Sequence, residues 1–148
     1  MNTVIEKDIT DLRTREKVGK AVLYNHDKEN DIIYIDGYVS SNKYTKQLAG
    51  ELILLLSESF NKLSCNKVLF KIPENEYKKM EIWRCLRFVD DCFVRSHAKI
   101  NGIYKNLYYM SILKHEYNRF FLNDKNVEIM ITEATKKCED IWECDVKK

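Results

Sequence analysis

The sequence predicts an α+β fold in which a mixed sheet is built around a central β-α-β-α unit, and three observations carry that prediction. Between Asp31 and Phe88 the chain reads as apolar run, helical pattern, apolar run and helical pattern. Two β-rich stretches precede this unit, and two more flank Asn101-Gly102, a dipeptide that favours a type I′ hairpin turn. A regular apolar stripe from Val127 to Trp142 then adds an amphipathic C-terminal helix.

In chain order, Thr3 to Asp8 and Lys17 to Tyr24 are predicted antiparallel strands joined by the polar stretch Ile9 to Glu16. His26 to Asn30 is a charged turn into the strand Asp31 to Ser40, so the fold opens on a three-stranded meander. Ile32, Ile33, Ile35 and Val39, with Tyr34 and Tyr38, are β-formers, as are Val68, Leu69, Phe70 and Ile72. Between these runs lies a segment too long for a strand, apolar on nearly every face from Leu52 to Leu56. That is the pattern of a helix buried on a sheet, so the two strands should be parallel. Gly37, isolated near a strand end, suggests a bulge or a close backbone approach. Pro73 closes the second strand, Glu74 and Asn75 open a helix, and Met80, Trp83 and Leu86 form its apolar stripe. The last hairpin runs Phe88 to Lys99 and Tyr104 to His115. Val127, Met130, Ile131, Ala134, Cys138, Ile141 and Trp142 line one side of the final helix, which must bury that side on its own sheet or on a second subunit.

Composition narrows the functional classes. At 148 residues, 45% hydrophobic, the chain suits one compact core, and net charge +2 with 32% charged residues suits a soluble protein. Without a polybasic or acidic block, nucleic acid and anionic membrane are not default partners. The longest apolar run, Leu52 to Leu56, falls far short of the ~20 residues of a membrane span. Glu6, Asp8 and Asp11 break any leader-like apolar stretch, which leads to an expected cytoplasmic location. Five cysteines without a Cys-x-x-Cys spacing read as free thiols, and His26, His97 and His115 stand apart, so no metal site is expected.

The central unit resembles the acetyl-CoA-dependent N-acetyltransferases of the GNAT superfamily. In that family a strand ends at a phosphate-binding loop, a helix follows, and a parallel strand leads to an Asn-rich turn, a helix and Gly-Phe. The corresponding stretches are Tyr38 to Ser40, Asn42 to Leu48, Glu74-Asn75 and Arg87-Phe88. The stretch from Arg95 to Tyr117, with Asn101-Gly102 at its turn and Glu116-Tyr117 at its end, is similar to the terminal hairpin of the ribosomal-protein N-terminal and spermidine acetyltransferase branch. The resemblance spans about Thr3 to Tyr117. It divides the chain into a GNAT-like domain over residues 1–122, lacking the family's first strand and two helices, and the helix at 123–148.

The resemblance implies acetyl-CoA as cosubstrate and transfer of acetyl to a primary amine: a polyamine, a small amine or a protein N-terminus. The strand-end amides of Tyr38, Val39 and Ser40 would polarise the thioester carbonyl. The loop with Lys43, Lys46, Gln47 and Leu48 would hold the pyrophosphate; Lys43, Lys46 and Leu48 stand where the family has Gln or Arg, Gly, and Gly or Ala. Asn75 marks the turn. Trp83 stands where the family commonly presents a Tyr that protonates the leaving thiolate, with Tyr77 a possible substitute. His97 or Glu116 would relay the amine proton. A homodimer through the terminal hairpin or the C-terminal helix is the expected assembly. The substituted loop and Trp83 keep a second reading open, a GNAT-derived binding or assembly protein without catalysis.

Overall fold

The structure, a computed structural model, describes residues 1–138. Its sheet has six strands: β1 (Thr3–Thr10), β2 (Lys17–Asp27), β3 (Ile32–Val39), β4 (Lys67–Pro73), β5 (Val89–Ile100) and β6 (Ile103–Leu113). They lie in the order β1-β2-β3-β4-β6-β5. All neighbours are antiparallel except β3 and β4, which are parallel as the intervening helix requires. That helix, α1 (Thr45–Ser57), is preceded by a 3₁₀ turn at Asn42–Tyr44 and continues into a π-turn at Glu58–Lys62.

One core lies between the sheet and its helices. Ile33 and Ile35 of β3, Val68, Phe70 and Ile72 of β4, and Met110 and Ile112 of β6 meet Leu48, Leu52, Leu55 and Leu56 of α1 in it. Register puts Ile33 beside Val68, so these strand residues share one face, which is the face the helices cover. Two glycines set how closely the elements approach. A Cβ on Gly37 would lie 2.9 Å from Leu48 Cδ1 and 3.1 Å from Leu52 Cδ2, so this glycine lets α1 settle onto β3. Pairing of β2 with β3 runs unbroken through it, and no bulge forms there. A Cβ on Gly19 would lie 2.1 Å from the Tyr38 carbonyl oxygen and 2.9 Å from Val39 Cα, both backbone atoms that cannot rotate away. Gly19→Ala is therefore expected to cost about 1 to 3 kcal/mol; an unaltered urea midpoint would show that β2 and β3 separate freely.

The helix expected from Glu74 to Phe88 is broken. A 3₁₀ segment, Glu74–Lys79, carries a non-helical residue at Glu76, and only then does α2 (Met80–Cys85) begin. No side chain caps the 3₁₀ start; Glu74 is held instead by Asn106 of β6, which donates its backbone N–H (3.0 Å) and its side-chain amide (3.3 Å). Asn101 and Gly102 both have positive φ, 52° and 79°, the conformation of a type I′ turn.

A helix that the sequence reading did not assign follows: α3 (Lys114–Phe121) takes the last two residues, Lys114 and His115, given to the final strand. The C-terminal helix, α4 (Asp124–Lys137), is capped by Asn123, whose side chain accepts from the Lys125 and Asn126 N–H groups. Met130, Ala134 and Cys138 are fully buried, and α4 packs on α1, α2 and α3. It thus extends the helical layer of its own chain and does not cover the opposite sheet face. Ile141 and Trp142 of the expected stripe lie outside the described residues. Among the described residues no helix is long and apolar enough to cross a membrane, and no group of three or more His, Cys, Asp or Glu is placed to hold a metal ion.

Candidate active site

The site follows from one departure from regular pairing. β3 and β4 are paired only at Ile32–Lys67, Ile33–Val68 and Tyr34–Leu69, although β3 continues to Val39 and β4 to Pro73. Beyond Tyr34 the strands part, each held by its outer neighbour: β3 by β2, and β4 by β6 as far as Pro73–Leu107. The gap is a cleft of about 290 Å³ lined by Asp36, Gly37, Tyr38, Phe70, Lys71, Ile72, Pro73, Glu76, Lys79 and Trp83.

Its floor is aromatic. Trp83 is 1% exposed, stacks on Phe70 with ring centroids 4.0 Å apart, and meets Phe88 edge-on at 5.3 Å. Its rim is charged. Lys79 pairs with Glu76 at 2.9 Å, and Asp36 Oδ1 accepts the Gly37 N–H at 2.8 Å. The Asp36 side chain reaches the surface, yet protein crowds it on the cleft wall. This desolvation raises its carboxyl above the ordinary range; Glu76's charge adds to the rise, while the Gly37 N–H, Lys79 and Lys20 oppose it.

The backbone of β3 presents a defined edge. Ser40 donates its N–H to the Val18 carbonyl at 2.8 Å, so the alternation of an antiparallel strand turns the Val39 and Gly37 amides away from β2, toward the gap. Gly37's amide is taken by Asp36, which leaves Val39's as the strand-end donor directed into the opening.

Several solved structures of similar shape are described as acetyltransferases. A structure described as a probable acetyltransferase superposes with TM-score 0.63 at 22% identity, over 70% of this chain and 58% of that one. Spermidine N-acetyltransferase SpeG from Vibrio cholerae gives 0.66 at 19%, over 77% and 68%. A dodecameric form of spermidine N-acetyltransferase from the same organism gives 0.64 at 18%, over 77% and 67%. The fold is that of the GNAT acetyltransferases. No family model matches the sequence, and no curated protein matches it. The chain spans a little over half, 58%, of the probable acetyltransferase's length.

Within the GNAT frame, the structure gathers some of the sequence-predicted residues at the cleft and leaves others elsewhere. Tyr38, 47% exposed, and Trp83 line it; Val39 and Ser40 close the strand beside it. Asn75 is exposed on the 3₁₀ segment next to Glu76. Tyr77 is exposed too, but lines a separate groove with Glu74, Met80, Arg84, Asp90 and Tyr108. His97 is exposed on β5, where pairing with β6 is interrupted between Val94 and Ala98. Glu116 accepts the Leu113 N–H at 3.0 Å at the start of α3, and Leu113 pairs with Lys67, at the end of β4 opposite the cleft. Neither His97 nor Glu116 is brought to the cleft; the carboxylates that line it are Glu76, paired with Lys79, and Asp36, whose mark in the sequence is one acid inside the apolar run Ile32–Val39.

The loop into α1 is braced against the first hairpin. Tyr44 donates its hydroxyl to Asp11, and Gln47 donates its side-chain amide to the Thr10 carbonyl at 3.2 Å. Asp11 also accepts the Arg13 and Thr14 N–H groups, and these bonds, the Tyr44 hydroxyl first, hold its carboxyl well below the usual range. Leu48 is fully buried and offers no surface to a ligand. Lys43 and Lys46 are exposed, Lys43 lying over the Tyr44 ring at 5.1 Å. The Tyr44 N–H bonds to the Ser41 carbonyl and the Thr45 N–H to that of Asn42, so these two amides of the first turn are used within the turn.

Proposed function

We propose that the chain is an N-acetyltransferase that takes acetyl from acetyl-CoA at the β3/β4 cleft and passes it to a primary amine. The observation that carries the reading is the parting of β3 from β4 beyond Tyr34, with Asp36 on the wall of the opening. The cleft fits the narrow thioester end of such a group: Phe70, Ile72 and Trp83 give it an apolar floor, and the edge of β3 a polar side. The turn leading into α1 fits the phosphates less through its amides than through the ammonium groups of Lys43 in the turn and Lys46 in α1.

When bound, acetyl-CoA supplies an activated acyl carbon and a thiolate leaving group. The residues of the chain do the rest. An amine arrives protonated at neutral pH, and Asp36, its affinity for a proton raised by its surroundings, accepts a proton from the nitrogen directly or through one water. The Val39 amide, directed into the gap, is the donor placed to meet negative charge on the carbonyl oxygen. Trp83 and Phe70 keep water from the floor.

The test is acetyl transfer from acetyl-CoA to a panel of monoamines, diamines and peptide N-termini, followed by thiol release. Turnover on any of them supports the reading; none, with acetyl-CoA bound, favours the second reading, a binding protein of the same fold. That alternative draws on Trp83, which is buried where the family commonly presents a phenol acid. Lys46→Gly is expected to weaken acetyl-CoA binding by about 1 kcal/mol through loss of an exposed cation; an unaltered Kd would remove this turn from the site.

A further inference from the structure

The sheet face opposite the helices carries a second feature beside the cleft. Tyr34 of β3 lies against Tyr24 of β2 with ring centroids 5.5 Å apart, and Lys71 of β4 stands across from Tyr109 of β6. Lys71 extends over the Tyr34 ring with Nζ 5.4 Å from its centroid, within reach of a cation–π contact. Lys71 also lines the cleft together with Asp36 and Glu76. Tyr34 and Asp36 project from one face of β3 two residues apart, hence about 7 Å along the strand. The acceptor side therefore has two ends: the Asp36 carboxylate beside the Glu76–Lys79 ion pair, where an ammonium would react, and an ammonium of the protein resting on the aromatic surface where the rest of the acceptor would lie.

We propose that Lys71 determines the class of acceptor, admitting an amine with an anionic tail and turning away an amine with a second cation. The Tyr34 ring is a seat for an ammonium, and Lys71 fills it from within the chain. A dication that places one end at Asp36 meets Lys71 with the other, whereas a tail carboxylate pairs with it. At an exposed site the difference between attraction and repulsion of one charge amounts to about tenfold in affinity at low salt. The inference rests on the transfer reading for which end reacts, and on the cleft's charge pattern for everything else.

The experiment titrates the protein with 4-aminobutanoate, butylamine and 1,4-diaminobutane at low ionic strength. Resonances of Tyr34, Gly37 and Tyr109 report binding in the wild type, Lys71→Met and Lys71→Glu. Lys71 is exposed, so neither variant is expected to disturb folding. The expected result is about tenfold tighter binding of 4-aminobutanoate than of 1,4-diaminobutane in the wild type, near equality in Lys71→Met, and reversal in Lys71→Glu. Equal affinities in the wild type, an unaltered order in Lys71→Glu, or no binding of 4-aminobutanoate would overturn the proposal. Acetyl transfer without this ordering would sustain the functional reading and sink this one; the ordering without transfer would do the opposite.

Discussion

Asp36→Asn is expected to lower kcat/KM for amine acetylation by about 10²- to 10⁴-fold, the range that a positioned general base supplies. Asn keeps the shape and can still accept the Gly37 N–H through its side-chain oxygen, so the melting temperature and acetyl-CoA affinity should stay close to wild type. The pH profile gives an independent signature. A base works in its deprotonated form, and desolvation by the cleft wall raises the Asp36 carboxyl, so activity should fall on the acid side at a pH above that of an ordinary carboxylate. That limb should vanish from the residual activity of the Asn variant. A variant with the full rate and an unaltered profile would place the base elsewhere.

Trp83→Ala is expected to cost about 3 to 5 kcal/mol of stability, the usual loss when a buried Trp is truncated in a close-packed core. Trp83 contacts Phe70 on one ring face and Phe88 at its edge, so its removal takes away the packing that joins α2 to β4 and the start of β5. Against a typical domain stability of about 5 to 15 kcal/mol the effect is large. Trp83→Phe should recover much of it. Denaturant unfolding measures both, and an Ala variant with the wild-type midpoint would mean that the aromatic floor is not structural.

Why some of this was readable in the sequence and some was not comes down to range. The strands declare themselves locally: β3 and β4 are β-branched and aromatic, and Asn101-Gly102 adopts the two positive φ values that its turn requires. α1 shows its burial in Leu48, Leu52, Leu55 and Leu56. α3 was missed because its eight residues bury only Tyr117 and Phe121, too short a stripe to show a period, and because its entry is stabilised by Glu116 from inside the helix. The break at Glu76 lies two residues from Glu74, which Asn106 holds from 32 residues away in the chain, a contact that no local pattern shows.

The site was less legible because it is made by divergence. No residue pattern in β3 or β4 announces that pairing stops after Tyr34, since each strand remains satisfied by its other neighbour. His97 and Glu116 were selected for their chemistry, and the fold spends one on an irregular edge strand and the other on a helix start. Asp36 is one acid inside an apolar strand run, and only the gap beside it gives it a role. Gly37 was rightly read as a place of close approach, but what approaches is α1.

The most direct test of the central claim is a titration with acetyl-CoA followed by calorimetry and by amide chemical shifts. Saturable binding, with the largest shifts at Gly37, Tyr38, Val39 and Lys71 on the cleft walls and at the Trp83 indole on its floor, is the predicted result. No heat and no shifts at millimolar acetyl-CoA, or shifts confined to residues away from the parting of β3 and β4, would contradict the assignment of this cleft as the acetyl-CoA site.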